Sequence, residues 1–136
     1  MLKRKTVLCI DDDIECLELI EIALNRRGFS CISASGGLAG LDKLHEFEPD
    51  LILLDLMMPD LSGWRVYRRV KCDEKLSRIP VIIVTAKDDP ADKAMALEMA
   101  RVDGYVTKPF KLSDLLEHVY TILGRQPLEN AWTSAG

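Results

Sequence analysis

The run Leu51-Ile52-Leu53-Leu54 carries apolar side chains on both of its alternating faces and then stops on Asp55. A strand of that kind must be covered above and below, which is the habit of a parallel sheet. Three further short runs repeat the pattern, "TVLCI" at 6 to 10, "FSCISA" at 29 to 34 and "PVIIV" at 80 to 84, with a shorter "GYV" at 104 to 106. Segments of helical period lie between them. Ile14, Leu17, Ile20 and Leu24 space a first helix that Gly28 stops; Leu38, Leu41, Leu44 and Phe47 space a second that Pro49 ends. A third helix is predicted near Trp64 to Cys72, after a loop holding Pro59 and Gly63. A fourth runs from the cap pair Asp89-Pro90 to about Arg101. Leu112, Leu115, Leu116, Val119 and Leu123 mark a fifth. Five strand-helix units predict an α/β domain, a parallel sheet with helices on both faces.

Such sheets bind ligands beyond the carboxyl ends of their strands. The first strand ends in Asp11-Asp12-Asp13, the third in Asp55 and the fourth in Thr85-Ala86, while the fifth leads to Lys108-Pro109. Taken singly, each residue has an ordinary use: Asp12 or Asp13 caps the first helix, Thr85 bonds to backbone, and Lys108 is solvated. Gathered on one rim they cannot all be ordinary. Two carboxylates ~4 Å apart repel by roughly 4 kcal/mol at an effective dielectric near 20, so something cationic must sit among them. Oxygen ligands too few for a calcium cage point to Mg²⁺, with Mn²⁺ as the alternative. The metal pair is Asp11 with Asp12 or Asp12 with Asp13; the position of Asp11 directly after the apolar run favours the first. Lys108 then reads as a second positive group aimed at an anion and Thr85 as a hydroxyl donor to it. Asp55 becomes a nucleophile that forms an aspartyl phosphate.

Composition narrows the alternatives. A chain of 136 residues, 48% hydrophobic, suits one domain with one core, and a net charge of −4 argues against general nucleic-acid binding. The cysteines at 9, 16, 31 and 72 form no CxxC pair, so neither a zinc site nor a disulfide framework is indicated. The basic start, Met1 to Lys5, is followed by too short an apolar stretch for a signal peptide, and no segment reaches the ~18 apolar residues of a membrane span. A cytoplasmic location is expected.

The pieces "VLCIDDD", "PDLILLDLMMPDLSG", "IPVIIVTA" and "GYVTKPF", in this order and spacing, resemble the receiver domains of two-component response regulators. The resemblance covers roughly residues 5 to 124 and implies a doubly wound (βα)5 flavodoxin-like sheet with strand order 2-1-3-4-5. It implies that Asp55 takes a phosphoryl group from a phosphohistidine on a sensor histidine kinase or phosphotransfer protein. Asp12 would bind Mg²⁺ directly, Asp11 through water, and Met57 through its backbone carbonyl. Thr85 and Lys108 would contact the phosphoryl group, and Tyr105 would be the aromatic that changes rotamer when Thr85 moves, altering the face of helix four, strand five and helix five. Met57 and Lys87 would control the water that dephosphorylates Asp55. A cis bond is expected at Lys108-Pro109. A chain of this kind catalyses only its own phosphorylation and dephosphorylation and is not otherwise an enzyme.

Two departures from the family pattern stand out: a third acid, Asp13, follows the first strand, and Arg101 stands where a glycine is frequent. A left-handed backbone at Arg101 would weaken the end of helix four. Rival functions fit less well. A cofactor binder of the same sheet would place a phosphate loop after strand one, where three acids repel it. A haloacid-dehalogenase-type phosphatase needs a second carboxylate two residues past the nucleophile, and Met57 stands there. A degenerate receiver serving as a phosphorylation-independent docking module remains the alternative. The Ala- and Met-rich helix four, "ADKAMALEMA", offers a weakly apolar face for an unknown downstream protein or for a homodimer, whereas Arg65, Arg68, Arg69 and Lys71 on helix three read as a solvated face. The expected division is a receiver domain at 1–124 and a polar tail or linker remnant at 125–136. Twelve residues are too few for an output domain, so the reading leans to a stand-alone receiver over the receiver piece of a longer regulator.

Overall fold

The computed structural model describes residues 3–127. Five parallel strands, β1 (Thr6–Asp11), β2 (Ser30–Ser35), β3 (Leu51–Leu54), β4 (Val81–Thr85) and β5 (Gly104–Thr107), form one sheet in the order β2-β1-β3-β4-β5. The expected fold is the observed one. Successive strand residues point to opposite faces, and here both faces are core. Leu8, Ile10, Ile52, Leu54, Val81 and Ile83 pack one way; Val7, Cys9, Leu51, Leu53, Ile82 and Val84 pack the other. Helices α1 (Ile14–Arg26) and α5 (Leu112–Leu123) cover the second face through Leu17, Ile20, Leu24, Leu115, Leu116 and Val119. Helices α2 (Gly37–Phe47) and α3 (Gly63–Cys72), and the segment after α4 (Pro90–Ala94), cover the first through Leu44, Val66, Tyr67, Val70 and Ala96.

Two predicted helix stripes shift. Leu38 and Phe47 are exposed; α2 instead lays Gly40 and Leu44 toward the sheet and Gly37 against Leu61 and Val66. The reason is a close approach: a Cβ on Gly40 would stand 2.7 Å from Ile10, so only glycine lets the helix come down on β1. Ile14 is likewise exposed, because it sits in the first turn of α1, above the rim of the sheet. Helix four also differs. Its α-helical part ends at Ala94, and Met95–Met99 form a π-helical turn before Arg101, whose φ of +57° is the left-handed conformation whose cost the sequence reading raised. Only Ala96 of the π turn is buried, while Met95, Leu97 and Met99 face outward. Among the described residues no helix is long and apolar enough to cross a membrane. Most of the predicted polar tail, 128–136 with its Trp132, lies outside the described residues.

Candidate functional site

The carboxyl ends of β1 and β3 are neighbours in the sheet, which brings Asp11 beside Asp55 although the two lie far apart in sequence. Asp11 is 2% exposed and Asp55 4%. Together with the exposed Asp12 they form one group whose carboxylate oxygens lie within 4.8 Å of one another. Asp13 is not part of it. Its carboxylate caps α1, accepting the Glu15 and Cys16 N–H groups at 3.1 and 3.3 Å, a use that satisfies two otherwise orphaned donors.

Lys108 enters the group from the loop after β5. Its ammonium donates to Asp11 Oδ2 at 2.7 Å and to Asp55 Oδ2 at 3.4 Å. Burial works against the Lys108 charge, yet the hydrogen bond to Asp11 and the nearby charges of Asp11 and Asp55 outweigh it and raise the ammonium above its ordinary value. Burial also raises Asp11, opposed by the Lys108 and Asp13 N–H hydrogen bonds and reinforced by Asp55. Three carboxylates against one ammonium leave the group negative, with two members almost out of water. That is the donor set a hard divalent cation takes, oxygen-only and compact, so these residues fit Mg²⁺.

The remaining predicted residues lie around this centre. Thr85, at the end of β4, is fully buried; its hydroxyl oxygen accepts the Lys87 N–H at 3.4 Å, which leaves its own proton available to a neighbour. Asp55 Oδ1 accepts the Met57 N–H at 3.1 Å, and the Met57 side chain is largely exposed between buried Leu56 and Met58. Lys87 extends to Asp92 at 3.6 Å. Tyr105 lies inward, its hydroxyl donating to the Lys87 carbonyl at 2.7 Å, and burial raises its phenol above the ordinary value. The Lys108-Pro109 peptide is cis, as the resemblance implied. Sequence reasoning missed Asp60, whose carboxylate receives two backbone N–H groups from the start of α2. An indirect signal was there in the pair Gly36-Gly37, which opens a helix with no side chain able to cap it.

A doubly wound parallel sheet with paired acids at β1 and β3, faced by a lysine after β5, defines a receiver-type domain. Comparison agrees: the family model for the response regulator receiver domain matches residues 7–120. The chain is 38% identical over 121 residues to the phosphate regulon transcriptional regulatory protein PhoB of Pseudomonas aeruginosa, covering 89% of this chain and 52% of that one. It is 37% identical over 128 residues to the DNA-binding response regulator MtrA of Mycolicibacterium paratuberculosis, 94% of this chain and 55% of that one. The chain thus spans about half the length of these relatives. Among solved structures, the chemotaxis protein CheY4 of Vibrio cholerae shares the fold, with a TM-score of 0.82 at 24% identity over 89% of this chain and all of that one. The receiver domain of Francisella response regulator 1452 superposes with a TM-score of 0.79 at 28% identity, 88% of this chain and 96% of that one. The chain belongs to the response regulator receiver domain family of two-component systems.

Proposed function

We propose that the protein accepts a phosphoryl group on Asp55 from the phosphohistidine of a sensor histidine kinase or phosphotransfer protein, in the cytoplasm, and passes the signal to a protein target. The observation that carries this reading is the Asp11, Asp12 and Asp55 carboxylate group with Lys108 bonded across two of its members. Asp11, Asp12, Asp55 and the Met57 carbonyl would hold Mg²⁺, or Mn²⁺, which when bound neutralises charge on the transferring phosphoryl group. Asp55 supplies the attacking oxygen, and its hydrogen bond from Met57 N–H orients it. Lys108 offers a fixed positive charge to the phosphoryl oxygens, and Thr85 a hydroxyl proton from a buried, rigid strand end. The bond that forms joins an Asp55 carboxylate oxygen to phosphorus, and the bond that breaks joins phosphorus to the donor's imidazole nitrogen.

Incubation with Mg²⁺ and acetyl phosphate, followed by intact mass, tests the reading. The wild type should gain one phosphate, only when Mg²⁺ is present, and Asp55→Asn should gain none. A wild type without a metal-dependent adduct, or an undiminished adduct in Asp55→Asn, would falsify it.

Signal output follows from the Thr85 and Tyr105 contacts. Phosphoryl oxygens on Asp55 would draw the Thr85 hydroxyl toward them, favouring one arrangement of the 86–89 loop and of Tyr105, whose hydroxyl rests on the Lys87 carbonyl. That coupling would reach α4, the π turn after it, β5 and α5, and the exposed Met95, Leu97 and Met99 of the π turn offer an apolar face for a target or a second copy. Thr85→Ala should still take up phosphate but fail to respond. Amide shifts of α4 and β5 with and without beryllofluoride are the readout, and a full wild-type pattern in Thr85→Ala removes Thr85 from the coupling.

A further inference from the structure

Helix α2 begins without a cap of its own. Its N-cap residue is Gly36, at φ +106°, which has no side chain to accept the first N–H groups of the helix. Asp60 reaches over from the β3–α3 loop instead, its Oδ1 accepting the Gly37 N–H at 3.1 Å and its Oδ2 the Leu38 N–H at 3.0 Å. These bonds hold the Asp60 carboxyl below its ordinary value, and a carboxylate at a helix N-terminus is favoured by the helix dipole as well. Glycine suits this position because of its φ, and a Cβ at Gly36 would also press on the clasp, standing 3.0 Å from Asp60 Oδ2.

The clasp belongs to a larger circuit. The Asp11 carbonyl accepts the Gly36 N–H at 3.0 Å, and the Asp55 N–H donates to the Ile10 carbonyl at 3.0 Å. The Gly63 N–H donates to the Leu56 carbonyl at 3.0 Å, closing the base of the 56–62 loop beside Asp55. Hydrogen bonds therefore run from Gly36 to Asp11 and from Gly37 and Leu38 to Asp60; the chain itself leads from Asp60 back to Asp55, whose N–H bonds to β1. Leu56 and Met58 are anchored in the core and Leu61 packs against Gly37, but Pro59, Asp60 and Ser62 are exposed, and Asp60 ties this far part of the loop to the first backbone N–H groups of α2.

We infer that Asp60 is a positioning residue for the acid group: by closing this ring it sets the placement of Asp11 against Asp55 and the Met57 backbone, and with it the affinity for Mg²⁺. The inference rests on the receiver reading proposed above. The effect should exceed that of a helix cap alone, because the loop that Asp60 restrains leads directly from Asp55.

The test is a Mg²⁺ titration with no phosphate donor, followed by the amide shifts of Asp12, Asp55 and Met57, on folded wild type, Asp60→Ala and Asp60→Asn. Asp60→Ala should bind Mg²⁺ about ten-fold more weakly, the lower end of what residues behind the ligands contribute to metal affinity. Its Gly37 and Leu38 amides should exchange faster. Asp60→Asn, which keeps one neutral acceptor, should fall between the two. Wild-type Mg²⁺ affinity in Asp60→Ala with faster Gly37 and Leu38 exchange would overturn the inference, leaving Asp60 a helix cap and the receiver reading intact. Should the alanine variant not fold, the same result in Asp60→Asn overturns it. A wild type whose Asp12 and Asp55 amides do not respond to Mg²⁺ is a different result, and it removes the receiver reading and the inference together.

Discussion

Lys108→Ala is expected to lower stability by about 3 kcal/mol in Mg²⁺-free buffer at pH 7, the low end of the loss when one partner of a buried ion pair is removed. The substitution strips the ammonium from Asp11 at 2.7 Å and from Asp55 at 3.4 Å, and leaves two nearly buried carboxylates facing each other. The pH dependence has a definite sign. Asp11 is raised above its ordinary 3.8, so its contribution to stability is fully present below that value and is lost as pH rises through the folded one. Lys108 is one of the groups opposing that rise, so its removal should widen the gap between variant and wild type as pH increases from about 4 to 7. Urea unfolding at the two pH values measures this. Saturating Mg²⁺ should recover part of the loss by restoring positive charge to the group. A variant as stable as wild type at pH 7 would show that the acids do not depend on the ammonium.

The second large effect concerns how long a phosphoryl group persists on Asp55. Its hydrolysis needs a water placed in line, and the proposed receiver function assigns the guiding of that water to the side chains of Met57 and Lys87. Met57 offers no strong donor or acceptor and is exposed at the mouth of the site, where its bulk can exclude water. Lys87 is a cation that cannot act as a base, and it lies 3.6 Å from Asp92. Slow self-dephosphorylation is therefore expected. The double variant Met57→Asn, Lys87→Glu supplies polar groups at both positions and should shorten the lifetime about ten-fold or more, the lower end of what positioned acid-base groups contribute. The carboxylate introduced in place of Lys87 would also repel Asp92 and turn toward the site. Decay of the phosphorylated protein after the donor is removed, with Mg²⁺ present, is the measurement. A wild type that decays within seconds, or a double variant no faster than wild type, would place the control elsewhere.

Strand identity and strand ends were legible in the residues because a buried parallel strand leaves a local mark, an apolar run that stops abruptly. Leu51 to Leu54 stopping on Asp55 is the clearest case, and Val81 to Val84 stopping on Thr85 is another. The left-handed Arg101 was also visible, as a departure from a familiar pattern. Helix faces were less legible. Spacing marked Leu38 and Phe47 as core, but the sheet selects the side of α2 that can approach most closely, and glycine at 40 outweighs leucine at 38 when Ile10 lies beneath. Apolar content describes what a helix can bury, whereas contact distance determines what it does bury.

The division runs the same way through the acid group. Residue order alone established a parallel five-unit sheet and put Asp11, Asp12, Asp55, Thr85 and Lys108 near one rim, because strand ends in such a sheet share an edge. Which two of the three consecutive acids join Asp55 depended on the turn into α1, where Asp13 is consumed by the Glu15 and Cys16 N–H groups and Asp11 and Asp12 are left beside Asp55. Asp60 itself carried no local mark. Its partners at Gly37 and Leu38 lie more than twenty residues away and are backbone amides, which every residue but proline carries, so the acid that caps them becomes visible only when the chain brings the two loops together.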